Sequence, residues 1–168
     1  MTKIKGFTLV ELLIVVMLLA ILAAIALPKF SNASANARAS MLADNLRVIR
    51  TQITVFKSQH KGVAAGYPDC DTTSNPTEEA FIAHLTQSSN DAGETAAPGT
   101  DGYRYGPYLR EVPDNPVNGK NTVQIITDAE QIPAAPDNSH GWIYQPATLT
   151  FKADSTGSDE TGRLYFDY

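Results

Sequence analysis

Three histidines, one cysteine and a scatter of acids carry the widest chemical repertoire in this chain, and their spacing limits what they can do. His60, His84 and His140 stand far apart, and none lies at ligand spacing from another histidine or from Cys70. Cys70 is the sole cysteine. That excludes an intramolecular disulfide and a cysteine-based metal cluster, and a lone thiol is expected to be buried and inert. Ser139 and His140 are adjacent, with Asp137 close by. A triad is built from neighbours in space rather than in sequence, and the chain has no G-x-S-x-G turn. No G-x-x-x-x-G-K-[ST] loop occurs either, so any nucleotide hydrolysis must come from another protein. Catalysis is not expected.

A second candidate is an oxygen-rich stretch, D-S-T-G-S-D-E, at residues 154–160. Calcium takes about six to eight oxygens, and such a loop offers several. Asp154 and Asp159 are the candidate calcium ligands, with Asp69 and Asp71 beside Cys70 as a weaker set. The spacing is not that of an EF-hand, and acidic turns are more often simply solvated. No other cofactor is indicated.

The third candidate is at the start, M-T-K-I-K-G-F-T-L-V-E, followed by an apolar run over residues 12–27. A run of this kind in a helix is expected to cross a bilayer, since residues 7–27 rise by roughly 30 Å. Lys3 and Lys5 precede it, which places the N-terminus in the cytoplasm. A cleaved secretory signal would need a small-residue site after the run, and none is clear. A plain signal anchor leaves Glu11 unexplained, because a carboxylate near hydrocarbon is costly. Phe7 and Glu11 are i and i+4 and share a helix face. If the chain were cut after Gly6, the new ammonium of Phe7 could be neutralised by Glu11, in the same chain or a neighbour.

The K-G-F-T-L-V-E stretch resembles the signal of type IV pilins and type II secretion pseudopilins, over at least residues 1–60. The resemblance implies a leader of residues 1–6, cleavage at Gly6–Phe7 by prepilin peptidase, and N-methylation of Phe7. It also implies that Glu11 sets subunit register during assembly. Pro28 follows the apolar run, and a proline inside a helix removes a hydrogen bond and clashes one turn back. A kink or local melting over residues 24–28 is expected. In this family the resemblance makes Pro28 an assembly residue at a stretch that unwinds; a fixed kink in an intact helix is the alternative.

These residues must be positioned by a small set of elements. The chain has 168 residues, and the formal charge of −5 argues against a nucleic-acid surface. Leu42, Leu46, Ile49, Ile53 and Phe56 repeat at 4-3-4-3 spacing, which predicts an amphipathic helix over 29–60. Met41, Val48 and Val55 are expected to widen its apolar stripe, and Gly62 to stop it. Pro76-Thr77-Glu78-Glu79 opens a short helix whose apolar face is Phe81, Ile82 and Leu85, ending at Gln87 or Ser88. Residues 90–102 are expected to be an exposed loop. Prolines 107, 113 and 116 exclude helix from Y-G-P-Y-L-R-E-V-P-D-N-P-V-N-G, with Tyr108 and Leu109 as core anchors. Strands are expected over 122–127, 141–145 and 148–152, the last two joined at Pro146-Ala147, with residues 164–168 a final strand or a packed tail. Trp142 and Tyr144 should share a face over the helix stripe.

The G-P-Y-L and G-W-I-Y elements resemble those of major pseudopilins, although Val117 stands where a tryptophan is common. The resemblance implies an α+β pilin fold: a long N-terminal helix, half transmembrane and half amphipathic, packed on a small C-terminal antiparallel sheet. It divides the chain into a leader (1–6), a transmembrane and filament-core helix (7–28) and a globular domain (29–168). It adds a calcium site in the C-terminal loops. The implied role is a structural subunit of a type II secretion pseudopilus, with a type IV pilus subunit as the alternative. The implied partners are further copies of the chain, prepilin peptidase, an inner-membrane assembly platform with its cytoplasmic ATPase, minor pilins and membrane lipid; nucleic acid is not expected. The implied location is the bacterial inner membrane, single-pass, with a periplasmic C-terminal domain.

Overall fold

The computed structural model describes residues 7–168, apart from the side chains of residues 26–32. The chain divides into two units at Ala37 and Arg38, and helix α1 (Leu9–Gln59) contributes to both. Over residues 9–25 the side chains of α1 are open to solvent: Leu9 is 83% exposed and Ile25 58%. The backbone is helical through position 28, and the side chain of Pro28 lies outside the described residues.

The transmembrane assignment of residues 7–28 is not upheld. Among the described residues no helix is long and apolar enough to cross a membrane. The shortfall is one of apolar length. Residues 12–27 are the uninterrupted run, and they rise by only about 24 Å against a hydrocarbon core of about 30 Å. Glu11 and Lys29 bracket that run with charge. The single-pass, inner-membrane location inferred from the assignment is withdrawn with it.

In the second unit the 4-3-4-3 stripe forms the core. Leu42, Leu46, Ile49, Ile53 and Phe56 are each at most 1% exposed. Each such side chain contributes about 1.5–3 kcal/mol of burial. The stripe is narrower than expected: Met41 and Val48 face solvent at 55% and 42%, because the polypeptide covers one flank of the helix and not two. The helix ends at Gln59, with the Gly62 N–H returned to the Lys57 carbonyl at 3.0 Å. Helix α2 (Glu78–Thr86) begins at Thr77, whose hydroxyl accepts the Ala80 N–H, and buries Phe81 and Leu85 completely.

The sheet is mixed rather than antiparallel. Two-residue strands β1 (Ser88–Ser89) and β2 (Thr95–Ala96) pair as a small hairpin. The main sheet has the order β3-β4-β5, from Val123–Ile125, Trp142–Gln145 and Thr150–Ala153. Strand β3 runs parallel to β4, with Val123 opposite Trp142, and β5 is antiparallel to β4. Parallel pairing needs a long crossover, and the segment between Ile125 and Trp142 supplies it. Residues 165–167 form a 3₁₀ turn instead of a strand. Strand β4 is buried on both faces. Trp142 and Tyr144 meet the α1–α2 core, while Ile143 packs with Ile126 and Phe166.

Both edges of this sheet meet side chains from the helices. Arg50 of α1 donates from Nε and Nη2 to the Phe151 carbonyl at 3.0 and 2.7 Å. Glu78 of α2 accepts the Val123 N–H at 2.6 Å. An edge strand otherwise presents open backbone groups for pairing with another chain.

Candidate functional site

The N-terminal motif is built on the first turn of α1. Thr8 precedes the helix, and its N–H and hydroxyl both donate to Glu11 Oε2 at 2.8 Å. In return the Glu11 N–H donates to Thr8 Oγ1 at 3.2 Å. This is a capping box: residue Ncap and residue N3 satisfy each other's free backbone donors. The T-x-x-E spacing of Thr8 and Glu11 is the local sequence signal for it. The cap gives Glu11 a partner inside its own chain, with its carboxylate held on Thr8. A negative group here also matches the positive end of the helix dipole. Phe7 is 77% exposed. Gly6 lies outside the described residues.

Beyond this cap the helix carries a dense apolar surface. Leu12, Leu13, Ile14, Met17, Leu18 and Leu19 are all between 52% and 59% exposed. Exposed apolar area on this scale marks a surface that binds something. The motif and the surface share one element, so an ammonium created at Phe7 would sit at the end of an apolar helix beside a carboxylate.

The two candidate calcium ligands serve different loops. Asp154 is 1% exposed, and its carboxylate accepts hydrogen bonds from residues 137–140. Oδ1 accepts the N–H groups of Asp137 and Asn138 at 2.9 and 3.2 Å, and Oδ2 accepts that of His140 at 2.8 Å. Asp159 accepts from Thr161, Arg163 and the Tyr168 hydroxyl, closing the C-terminal turn. Those hydrogen bonds, with Thr161 first, pull its carboxyl down to about 2. Asp71 caps its own turn through Thr73. Among the described residues no group of three His, Cys, Asp or Glu side chains gathers as a metal would require.

Ser139 and His140 do touch, Oγ to Nδ1 at 2.8 Å, on the turn that Asp154 holds. His60 and His84 are buried and stack on either face of Phe56, with ring centroids 3.9 and 4.6 Å away. Cys70 is half-buried rather than enclosed. Burial, then the nearby Asp69, pushes its thiol up to about 11, which keeps it protonated and unreactive near neutrality.

Two asparagines escaped the sequence reading. Asn115 is fully buried; its Nδ2 donates to the Gly141 carbonyl and to Ser155 Oγ, and its Oδ1 accepts the Val117 N–H. Asn118 donates to the carbonyls of His140 and Asp154. Together they lash the proline segment to the Gly141-Trp142 strand start. There the Lys120 carbonyl lies so close that a Cβ on Gly141 would collide with it. The prolines around the N-P-V-N-G string exclude helix, but carry no sign that its amides reach across the fold.

Residues 1–27 match the family model described as the prokaryotic N-terminal methylation motif. Over 93 residues the chain is 31% identical to the type IV narrow pilus major component PilA5 of Thermus thermophilus, a match covering 55% of this chain and 77% of that protein. No solved structure matches significantly. The methylation motif on its capped, apolar helix and the similarity that continues beyond it agree: the chain belongs to the type IV pilin-like family.

Proposed function

We propose that the chain is the structural subunit of a type IV pilus filament, processed at Gly6–Phe7, N-methylated on Phe7 and polymerised through its N-terminal helix. The observation that carries this is the exposed apolar surface of α1 directly behind the capped methylation motif. Such a surface is satisfied by the same surface of other copies, packed as a helix bundle. The relative named above is a major pilus component, which favours a pilus over other filaments. The role is structural and not catalytic. Its partners are further copies of the chain, the prepilin peptidase and the assembly machinery.

In this reading Glu11 neutralises the Phe7 ammonium. Its carboxylate already bonds Thr8 through Oε2, so pairing with a neighbouring chain adds to the cap instead of replacing it. Gly6→Ala is expected to leave an unshifted precursor on a gel. A mature product of normal mass would sink the processing assignment. Glu11→Val is expected to be cleaved normally but to co-assemble poorly with wild-type subunits, as counted by electron microscopy of sheared filaments.

A second reading is a subunit of a type II secretion pseudopilus. It is favoured by the G-P-Y-L and G-W-I-Y elements, whose Tyr108, Leu109, Trp142 and Tyr144 pack in or against the core. Deleting the gene separates the two. Loss of surface filaments with an intact secretome supports the pilus, and loss of secreted proteins with intact pili supports the pseudopilus.

A further inference from the structure

Asn118-Gly119 is the chain's one N-G pair, and it sits inside the clamp that joins the proline segment to the start of β4. In an open chain this is the most labile asparagine pair. Glycine has no side chain to obstruct the approach, so the Gly119 nitrogen can attack the Asn118 carboxamide carbon. A C–N bond forms, the bond from that carbon to Nδ2 breaks, and ammonia leaves with the proton shed by the Gly119 nitrogen. Water then opens the cyclic imide at one of its two carbonyls. The product is aspartate, or isoaspartate with the main chain rerouted through the side chain. No oxidant, reductant or enzyme is required.

The fold engages each group this reaction needs free. The Gly119 nitrogen must lose its proton before it attacks, and that N–H donates to the Asn115 carbonyl at 2.7 Å. The leaving amide is held by both of its protons: Asn118 Nδ2 donates to the carbonyls of His140 and Asp154, each at 2.7 Å. Oδ1 accepts the Lys120 N–H at 3.1 Å, so turning the carboxamide breaks all of its bonds at once. The Asn115 N–H closes the same turn on the Lys120 carbonyl at 2.8 Å. Gly119 has a left-handed φ of +73°, and a Cβ there would meet nothing within 4 Å. The backbone of the turn, and not its packing, therefore favours glycine, and the lability comes with it.

The product does not fit the same place. Asn118 is half-buried. Aspartate at this position keeps an acceptor for the Lys120 N–H, but an ionised carboxylate has no donor. It would turn oxygen toward the two carbonyl oxygens that the amide now serves. Lys120 is engaged elsewhere, its ammonium donating to the carbonyls of Asn138 and Ser139.

We propose that Asn118-Gly119 is a fold-gated deamidation site, inert while the clamp is shut and reactive when the proline segment lifts, whose product prevents the clamp from closing again. Each opening long enough for reaction then leaves a permanent chemical mark on the chain. Asn115, the other amide of the clamp, cannot take this path, because Pro116 after it has no N–H to give up. The inference is independent of what the filament does.

The full chain is incubated in mild detergent at mildly alkaline pH, folded or unfolded by guanidinium chloride. Trypsin then releases residues 111–120, bounded by Arg110 and Lys120, and the amide-to-acid mass gain of that peptide reports Asn118 alone. Deamidation is expected to be roughly hundredfold slower in the folded chain, the factor for breaking three ordinary hydrogen bonds first. A ratio at or below about fivefold, the worth of a single such bond, overturns the gate. Asn118→Asp carries the product. Its residues 113–120 and 137–141 are expected to exchange amide hydrogens at least about tenfold faster than in the wild type, while α2 keeps its protection. Wild-type protection of both segments overturns the blocked return. If Asn118→Asp does not fold, a wild-type chain partly deamidated in guanidinium and then refolded decides. The native fraction is expected to be depleted of the changed peptide, and equal proportions in the native and unfolded fractions overturn the proposal.

Discussion

Asp154 holds a turn with a single carboxylate. Three backbone N–H groups from residues 137–140 converge on it out of reach of solvent. Asp154→Asn keeps the volume but turns one acceptor into a donor facing the turn. The expected loss is about 2–3 kcal/mol, measured by urea unfolding. Gly93→Ala is expected to be at least as damaging, because it forces a Cβ onto Cys70 at a left-handed φ of +91°. Asp159 is the acid-sensitive counterpart at the C-terminus. Its lowered carboxyl, at about 2, supports the turn fully above the ordinary range and loses that support as pH falls from about 4 toward about 2. An NMR titration of the Asp159 carboxyl, with the Tyr168 ring signals as reporter, checks both the midpoint and the sign. At this scale the sequence marked both acids as candidate calcium ligands, and the structure shows the protein donors that each accepts from. Sequence proximity revealed which oxygens were available, not which N–H groups would arrive from 14 to 17 residues away.

The helices were legible because their signals are local. The 4-3-4-3 stripe, the Thr77 cap and the Gly62 stop each depend on residues within one or two turns, and each is present in the fold. The capping box of Thr8 and Glu11 belongs to the same class. Strands were harder. Residues 122–127 read as a strand, but only Val123–Ile125 pair, and they pair parallel to β4. Strand direction depends on where the long crossover lands, which no local pattern encodes. The same elements close both sheet edges, through Arg50 and Glu78. Arg50→Met and Glu78→Ala are each expected to lower stability by about 1–2 kcal/mol. The double variant should also show thioflavin-positive aggregation that the wild type lacks, because both edges then present open backbone. A double variant that stays monomeric under the same conditions would show that the edges need no guard.

For the whole chain, the balance between the two units matters most. The second unit has its own core, with fourteen residues in its main buried cluster. Among the described residues the first unit buries little, and the apolar side chains of residues 9–25 are open. Residues 38–168 are therefore expected to be monomeric in sedimentation velocity without detergent, while the full chain self-associates. Self-association that persists in the shortened chain would move the contact surface onto the second unit.

Composition, periodicity and short motifs determined a great deal by themselves: the methylation motif, the long helix with its buried stripe, the short second helix and the α+β class. These are short-range properties, set by side chains within a few residues of each other. The tertiary structure decided the parallel pairing of β3, the protein-satisfied nest around Asp154, the amide clamps of Asn115 and Asn118, and the hydrogen bond from the Gly66 N–H to His84. Each of these joins backbone or side-chain groups distant in sequence, and their hydrogen-bond partners exist only once the chain has closed on itself.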